Sequence, residues 1–328
     1  MWGQGTLLLL GGFALPIWAV WQCRFKRPRA QREIFADDHG VAESRGRRTL
    51  CVVQLAPAIV ATTMADFSDI LYPCLGFAVL CSVTTVTGYY LPVFSKLEWQ
   101  KRLFCALCCA SLTNCCTVTW PALQGFYELY KGGFTFGCGD ASLLRLTAPS
   151  SCVLACGLVC GYFVQDSAIM MLFPKETTKE LGGSTSYKIM WMHHIVSLFV
   201  WPYAMMQSKC VVFVAYFMAT EVTNIGQNLF LLANRADLFG KGVDLYIGLV
   251  WAFTFLVARV LPVPFIMYAW FYTHLYPHTG GCGGDLSTVE YFVSLITVPI
   301  PVALNLFWFY KIVSKARRMM GKSKDKGK

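Results

Sequence analysis

Eight apolar runs, each about twenty residues long, dominate the chain: 2–21, 70–94, 103–123, 147–173, 189–207, 210–232, 244–273 and 288–313. Runs of that length match the hydrocarbon thickness of a bilayer and predict membrane-spanning helices. A ninth stretch, 50–65, carries no charge but is short and interrupted by Pro57. It crosses, re-enters or lies at the interface. The few polar positions inside these runs are the more telling ones. Asp166, the adjacent His193 and His194, then Glu221, Asn224 and Asn228, then Arg259 fall in four successive runs. Ionisable side chains are costly in hydrocarbon and face a protein interior or a water-filled cavity. The pattern therefore predicts an all-α polytopic transmembrane helix bundle built around a polar interior.

Composition agrees with the pattern. Hydrophobic residues make up 56% of the chain and charged ones only 14%, against about a quarter charged in a soluble domain. Mean hydropathy is +0.50. The formal charge of +10 raises nucleic acid as a partner, but the basic residues cluster in loops and the C-terminal tail, as membrane orientation demands. No nucleic-acid-binding motif accompanies them, so the expected partners are membrane lipids and no nucleic acid.

Charge also predicts orientation. With 50–65 crossing, the segments 22–49, 95–102, 174–188, 233–243 and 314–328 lie on one side and hold 23 of the 28 Lys and Arg. The opposite segments, 66–69, 124–146, 208–209 and 274–287, hold three. The positive-inside rule puts the first set, and so the C-terminus, in the cytosol. Run 2–21 has no basic residue before it and Arg24, Lys26, Arg27 and Arg29 just after it. A cleaved signal peptide carries its charge in front, so 1–21 is expected to be a retained anchor. Residues 22–49 follow as a basic cytosolic linker, 50–95 as additional membrane segments, and 316–328 as a basic cytosolic tail.

The fifteen cysteines do not form a disulfide framework, because most lie inside apolar runs, where cysteine acts as a small packing residue. Cys105-Ala-Leu-Cys108 has redox or zinc spacing but no partner His nearby. Cys138 and Cys282 both fall in segments assigned to the non-cytosolic side, where a disulfide between them can form. In the tail, Lys324-Asp-Lys326-Gly-Lys328 fits the Lys-x-Lys-x-x pattern of cytosolic retrieval signals. Lys324 and Lys326 therefore predict the endoplasmic reticulum membrane.

At 1.5 Å of rise per residue, Asp166 and the histidines lie roughly 6–10 Å inside the cytosolic boundary, with Glu221 and Arg259 nearer the midplane. Glu221, Asn224 and Asn228 are spaced i, i+3 and i+7, which places them on one face of a continuous helix. Three readings compete for these residues. In a structural reading, Glu221 pairs with Arg259 and the amides tie helices together. In a catalytic one, a histidine acts as base or nucleophile on an activated acyl group, with Asp166 or Glu221 orienting it. A metal site is disfavoured, since no two histidines share a helical face at ligand spacing. Transport of a lipid or small molecule is a further alternative.

The order of these motifs resembles the TLC-domain family. It runs Gly161-Tyr-Phe-Val-Gln-Asp166, His193-His194 after a basic loop, Ala219-Thr-Glu221-Val-Thr-Asn224, and Phe255-x-x-x-Arg259-Val-Leu-Pro262. That family includes ceramide synthases, translocating-chain-associating proteins and regulators of membrane lipid composition. The resemblance covers about residues 96–315, starting at Lys96-x-x-Trp99-x-x-Arg102. It implies a six-helix core around a lipid-accommodating cavity, preceded here by two or three N-terminal spans. Ceramide synthases carry a His-Asp signature on the helix after the paired histidines. Here that helix reads Glu221-Val-Thr-Asn-Ile-Gly-Gln-Asn, and Leu-Phe-Cys-Ala-Leu after Arg102 lacks the family's common Ser and His. The resemblance thus implies a lipid-handling protein of the non-ceramide-synthase branch, one that binds, senses or regulates acyl lipids, whether phospholipid or sphingolipid. The alternative it leaves is an acyl-CoA-dependent N-acyltransferase using His193, His194 and Asp166, with acyl-CoA as substrate and no cofactor.

Overall fold

The computed structural model describes residues 65–133, 144–236, 238, 243–274 and 286–325. The anchor 1–21, the linker 22–49, most of 50–65 and the Cys138–Cys282 pair lie outside the described residues. Those residues form helices α1 (Phe67–Tyr89), α2 (Trp99–Gly132), α3 (Ser150–Leu172), α4 (Pro174–Glu180), α5 (Ser184–Met206), α6 (Val211–Ala219), α7 (Val222–Ala236), α8 (Val243–Phe255), α9 (Val263–His274), α10 (Thr288–Thr297) and α11 (Pro299–Asp325). A five-residue π-helix, Leu256–Val260, joins α8 to α9. Five stretches are long and apolar enough to cross a membrane: Phe67–Tyr89, Trp99–Gly132, Ser150–Leu172, Val243–Tyr272 and Thr288–Arg317. The expected all-α polytopic bundle is what the chain forms.

Small residues let the first helices approach closely. A Cβ on Gly157 would sit 2.8 Å from the Ile70 carbonyl oxygen, and one on Gly161 would collide with the Cys74 carbonyl and lie 2.9 Å from Ala78 N. Helices α1 and α3 therefore pack backbone to backbone, as small residues permit in membrane bundles. Gln165 Nε2 donates to Thr85 Oγ1 at 3.1 Å across the same contact. At the turn into α2, Arg102 donates to the Ser95 carbonyl and to that of Leu97, and its guanidinium lies over the Tyr89 ring. Most of the described cysteines act as core fillers. Cys105, Cys108, Cys115, Cys152, Cys156 and Cys160 are buried free thiols.

Contacts sort the connecting segments into two ends. At one, Lys311 Nζ reaches Ser186 Oγ at 3.2 Å and Arg235 bridges Glu180 at 2.6 Å. At the other, Ser151 Oγ donates to Glu128 at 2.8 Å, Ser208 Oγ accepts from Ala148 N, and Tyr203 donates to Glu290 at 2.9 Å.

The expected single span 210–232 is two helices instead, α6 and α7, broken at Thr220–Glu221. The Thr220 hydroxyl donates to the Phe217 carbonyl (2.7 Å) and that of Thr223 to the Thr220 carbonyl (2.9 Å). Such local side-chain bonds compete with the helical ladder. The turn tightens to i→i−3 bonds, Glu221 N to Met218 O and Thr223 N to Thr220 O. Glu221 accordingly stands just before α7 rather than inside one continuous helix with Asn224 and Asn228, although all three still face the same cavity.

The π-helix has an equally local cause. In an α-helix the Ala258 carbonyl would accept from residue 262, which is a proline without an N–H. The ladder shifts to Leu261 N bonding Leu256 O, and Ala258 O accepts the Tyr216 hydroxyl instead, at 2.8 Å.

Candidate functional site

The helices line a half-open cavity of about 460 Å³, within the roughly 300–1,000 Å³ of small-molecule and cofactor sites. Its walls come from α2, α3, α4, α5, α6, α7 and the break between them, α8, the π-helix and α11. Asp166, His193, His194, Glu221, Asn224, Asn228 and Arg259 all line it. Apolar side chains such as Phe104, Leu107, Phe217, Trp251, Phe255 and Leu304 make up much of the remaining wall. Lys324 lies in the last turns of α11 and Lys326 lies outside the described residues.

The polar groups fall into two clusters. The first joins α3 and α5. His194 is buried and stacks on Phe163 with ring centroids 4.7 Å apart. Its Nδ1 lies 3.6 Å from Asp166 Oδ2, beyond hydrogen-bond reach, and has no hydrogen-bond partner. His193 is half-buried and meets Phe163 and Trp201 edge-on. Its ring centroid lies 5.6 Å from that of His194.

The second cluster forms around Arg259, which the π-helix carries. Its Nε donates to Thr223 Oγ1 at 2.8 Å, Nη1 to Asn305 Oδ1 at 3.3 Å, and Nη2 to the Thr220 carbonyl at 3.0 Å and Asn224 Oδ1 at 3.2 Å. Nη2 also lies 3.6 Å from Glu221 Oε1. The other carboxylate oxygen accepts from Asn224 Nδ2 (3.0 Å) and Asn114 Nδ2 (3.4 Å). Asn228 Nδ2 donates to Ser111 Oγ at 2.9 Å and to the Asn224 carbonyl at 2.8 Å. The broken helix and the π-helix thus bring the Thr220 carbonyl and the Arg259 guanidinium within hydrogen-bond reach of each other. The expected pairing of Glu221 with Arg259 is present, inside a wider network.

The family model for the TLC domain matches residues 78–314, more than half of the chain. The chain belongs to the TLC-domain family. No curated protein matches it. The TLC domain here contains every cavity-lining candidate, and its match begins within α1. Among its described residues no three His, Cys, Asp or Glu side chains gather as metal ligands would.

Several residues of the site escape a reading of the sequence. Asn114, Thr223 and Asn305 complete the Glu221–Arg259 network, and Asn114 and Asn305 are single amides in apolar runs, the signal that would have found them. Lys311, a charged residue inside the run 288–313, also lines the cavity. A fully buried histidine also lies at the other end of the TLC domain. His274 sits just past the expected end of its span and is bonded through Nε2 to Ser294 Oγ at 2.8 Å.

Proposed function

We propose that this TLC-domain protein binds an acyl lipid in the cavity and senses or regulates membrane lipid composition. The single observation that carries the reading is the cavity itself. It combines an apolar wall with convergent polar groups inside a membrane bundle, the combination expected of a site that orients one ligand. A purely structural polar cluster would fill its own interior. Membership of the TLC-domain family, whose proteins are associated with membrane lipids, supports a lipid as that ligand. Purification of the full chain with its bound lipids tests the reading. Stoichiometric acyl lipid that depends on His193 and Asn224 is expected, and lipid no more abundant than at a bundle surface would overturn it.

One observation favours a second reading, acyl transfer from acyl-CoA. His194 Nδ1 faces Asp166 just out of hydrogen-bond range, and catalytic contacts of this type tighten when ligand binds. Incubation with labelled acyl-CoA separates the two. Transfer to an acceptor or to the protein that vanishes in His193→Ala or His194→Ala marks an enzyme. Bound lipid with no transfer across an acceptor panel supports binding alone.

The same proposal places the protein in the endoplasmic reticulum with its tail in the cytosol. The concentration of Lys and Arg in the segments expected on one side of the membrane and the Lys324/Lys326 spacing support this. Redistribution of a Lys324→Ser/Lys326→Ser variant to later compartments is the expected outcome. Unchanged localisation would remove the retrieval role.

A further inference from the structure

Hydrogen bonds occupy the polar groups around Arg259, but a second set of polar side chains in the same cavity has none. Asp166 on α3, His193 on α5 and Gln227 on α7 all line it, and among the described residues none of the three makes a hydrogen bond. His194 Nδ1 is likewise without a partner. It reaches only to 3.6 Å from Asp166 Oδ2. Asp166 keeps 19% of its side-chain surface exposed, so its carboxyl opens into the cavity rather than into packed protein. Polar groups left unpaired away from water are costly, and a ligand that pairs them recovers that cost.

The three groups lie at similar depth. Asp166 is six residues from the end of α3 at Leu172, His193 is nine from the start of α5 at Ser184, and Gln227 is nine from the end of α7 at Ala236. Helix rise makes this about 9 Å for the first and about 13–14 Å for the other two. All three helix ends lie at the end of the bundle where Lys311 reaches Ser186 and Arg235 bridges Glu180. The groups therefore face one level of the cavity.

Their chemistry selects the ligand. A carboxylate only accepts hydrogen bonds, a neutral imidazole offers one donor and one acceptor, and a carboxamide offers both. A hydroxyl donates and accepts, so it suits every member of the set. An ester only accepts and leaves Asp166 unpaired. An ammonium only donates and leaves the Gln227 amide N–H groups without an acceptor. Protonated, Asp166 still presents an accepting oxygen. Charge points the same way. The carboxylates Asp166, Glu180 and Glu221 and the basic side chains Arg259, Lys311 and Lys315 share the lining, so neither sign prevails and a neutral ligand fits better than an ion.

We infer that Asp166, His193 and Gln227 bind the free hydroxyls of a neutral, glycerol-type acyl lipid. The inference rests on the reading that the cavity holds an acyl lipid, and it adds the chemical class. Two neighbouring hydroxyls match the two oxygens of Asp166, and their own oxygens accept from His193 and Gln227. The acyl chain then follows the apolar wall, past side chains such as Phe217 and Leu304.

The test uses the full chain in lauryldimethylamine oxide, a detergent without hydroxyls, with equal amounts of monooleoylglycerol, methyl oleate, oleate and oleylamine. The four probes share one monounsaturated chain and differ in the polar group, and retained probe is read by native mass spectrometry. Roughly tenfold or greater enrichment of monooleoylglycerol over each of the others is expected, the scale of a hydrogen bond to a charged group. Asp166→Leu should bring it close to parity with methyl oleate. Gln227→Met should lower the enrichment roughly fivefold, the scale of one neutral hydrogen bond. Lys311→Met should keep the enrichment, which separates this level of the cavity from the polar groups nearer the helix ends. Thermal stability of each variant in the same detergent shows whether it is folded.

Equal retention of the four probes, a preference for oleate or oleylamine, or a monooleoylglycerol preference that survives Asp166→Leu would overturn the inference and leave the cavity reading intact. Failure to retain any probe would overturn the cavity reading itself. Free glycerol forms a separate arm. If it displaces monooleoylglycerol at equal concentration, the site serves a soluble polyol and the lipid assignment falls.

Discussion

Glu221 and Arg259 hold their opposite charges 3.6 Å apart in the cavity wall. Their surroundings are built for the arginine rather than for an interchangeable ion pair, because four further acceptors take up its guanidinium N–H groups. Removing one partner of a buried pair costs about 3–5 kcal/mol. Both Glu221→Ala and Arg259→Ala should therefore lower the yield and thermal stability of the detergent-purified protein sharply. The double reversal Glu221→Arg/Arg259→Glu should recover only a minor part. A glutamate at 259 has no proton for the Thr220 carbonyl or for Thr223 and Asn305. Arg259→Lys should fall between wild type and Ala, because one ammonium cannot reproduce the planar fork. A double reversal as stable as wild type would show that the pair alone matters.

Tyr216 and Pro262 should be coupled although they lie on different helices. The Tyr216 hydroxyl serves the Ala258 carbonyl because residue 262 lacks the N–H that would otherwise do so. Tyr216→Phe should destabilise the protein by about 0.5–1.5 kcal/mol, the net value of one such bond. In a Pro262→Ala background the same change should cost clearly less, since an N–H is restored. Additive effects in this cycle, read by thermal unfolding in detergent, would reject the link between proline and the π-helix.

The α1–α3 contact gives a steric test. A methyl group at Gly161 meets backbone, including Ala78 N at 2.9 Å, so Gly161→Ala should cost about 1–3 kcal/mol as overpacking does. At Gly76, on α1, nothing lies within 4 Å of an added Cβ. Gly76→Ala should be neutral or raise stability by up to about 1 kcal/mol through reduced chain entropy. Equal effects at the two positions, measured as thermal midpoints, would show that close helix approach is not what Gly161 provides.

The all-α bundle and the polar positions that line its cavity could be read from the sequence for one physical reason. Hydrocarbon penalises polar groups, so Asp166, the histidine pair, Glu221 and Arg259 stand out against their runs, and all line one cavity. The helix break at Thr220 and the π-helix at Leu256–Val260 were not legible. The local triggers, the Thr220 and Thr223 hydroxyls and Pro262, are in the sequence, but each irregularity also uses a partner from another segment, Arg259 for the Thr220 carbonyl and Tyr216 for that of Ala258. A window of sequence contains no such partner. His274 was missed for a different reason, the usual uncertainty of helix ends. One residue of boundary separates a loop histidine from a buried one.

The adjacent histidines should behave differently despite being neighbours in sequence. His194 is only 3% exposed and packs flat against Phe163, so His194→Ala leaves a hole in the protein interior. A cost of about 2–5 kcal/mol is expected by comparison with other large-to-Ala changes in cores. His193 is half-buried, touches Phe163 and Trp201 by ring edges, and makes no hydrogen bond among the described residues. His193→Ala should therefore remain close to wild type in thermal stability while losing retained acyl lipid. His194→Phe supplies the control, because it restores the stacked ring without the nitrogen facing Asp166. If that variant recovers both stability and lipid, His194 serves packing and His193 carries the ligand contact. Recovery of stability without lipid would instead assign a ligand-linked role to the His194–Asp166 pair. Equal loss of stability at His193 and His194 would contradict the division drawn from their burial.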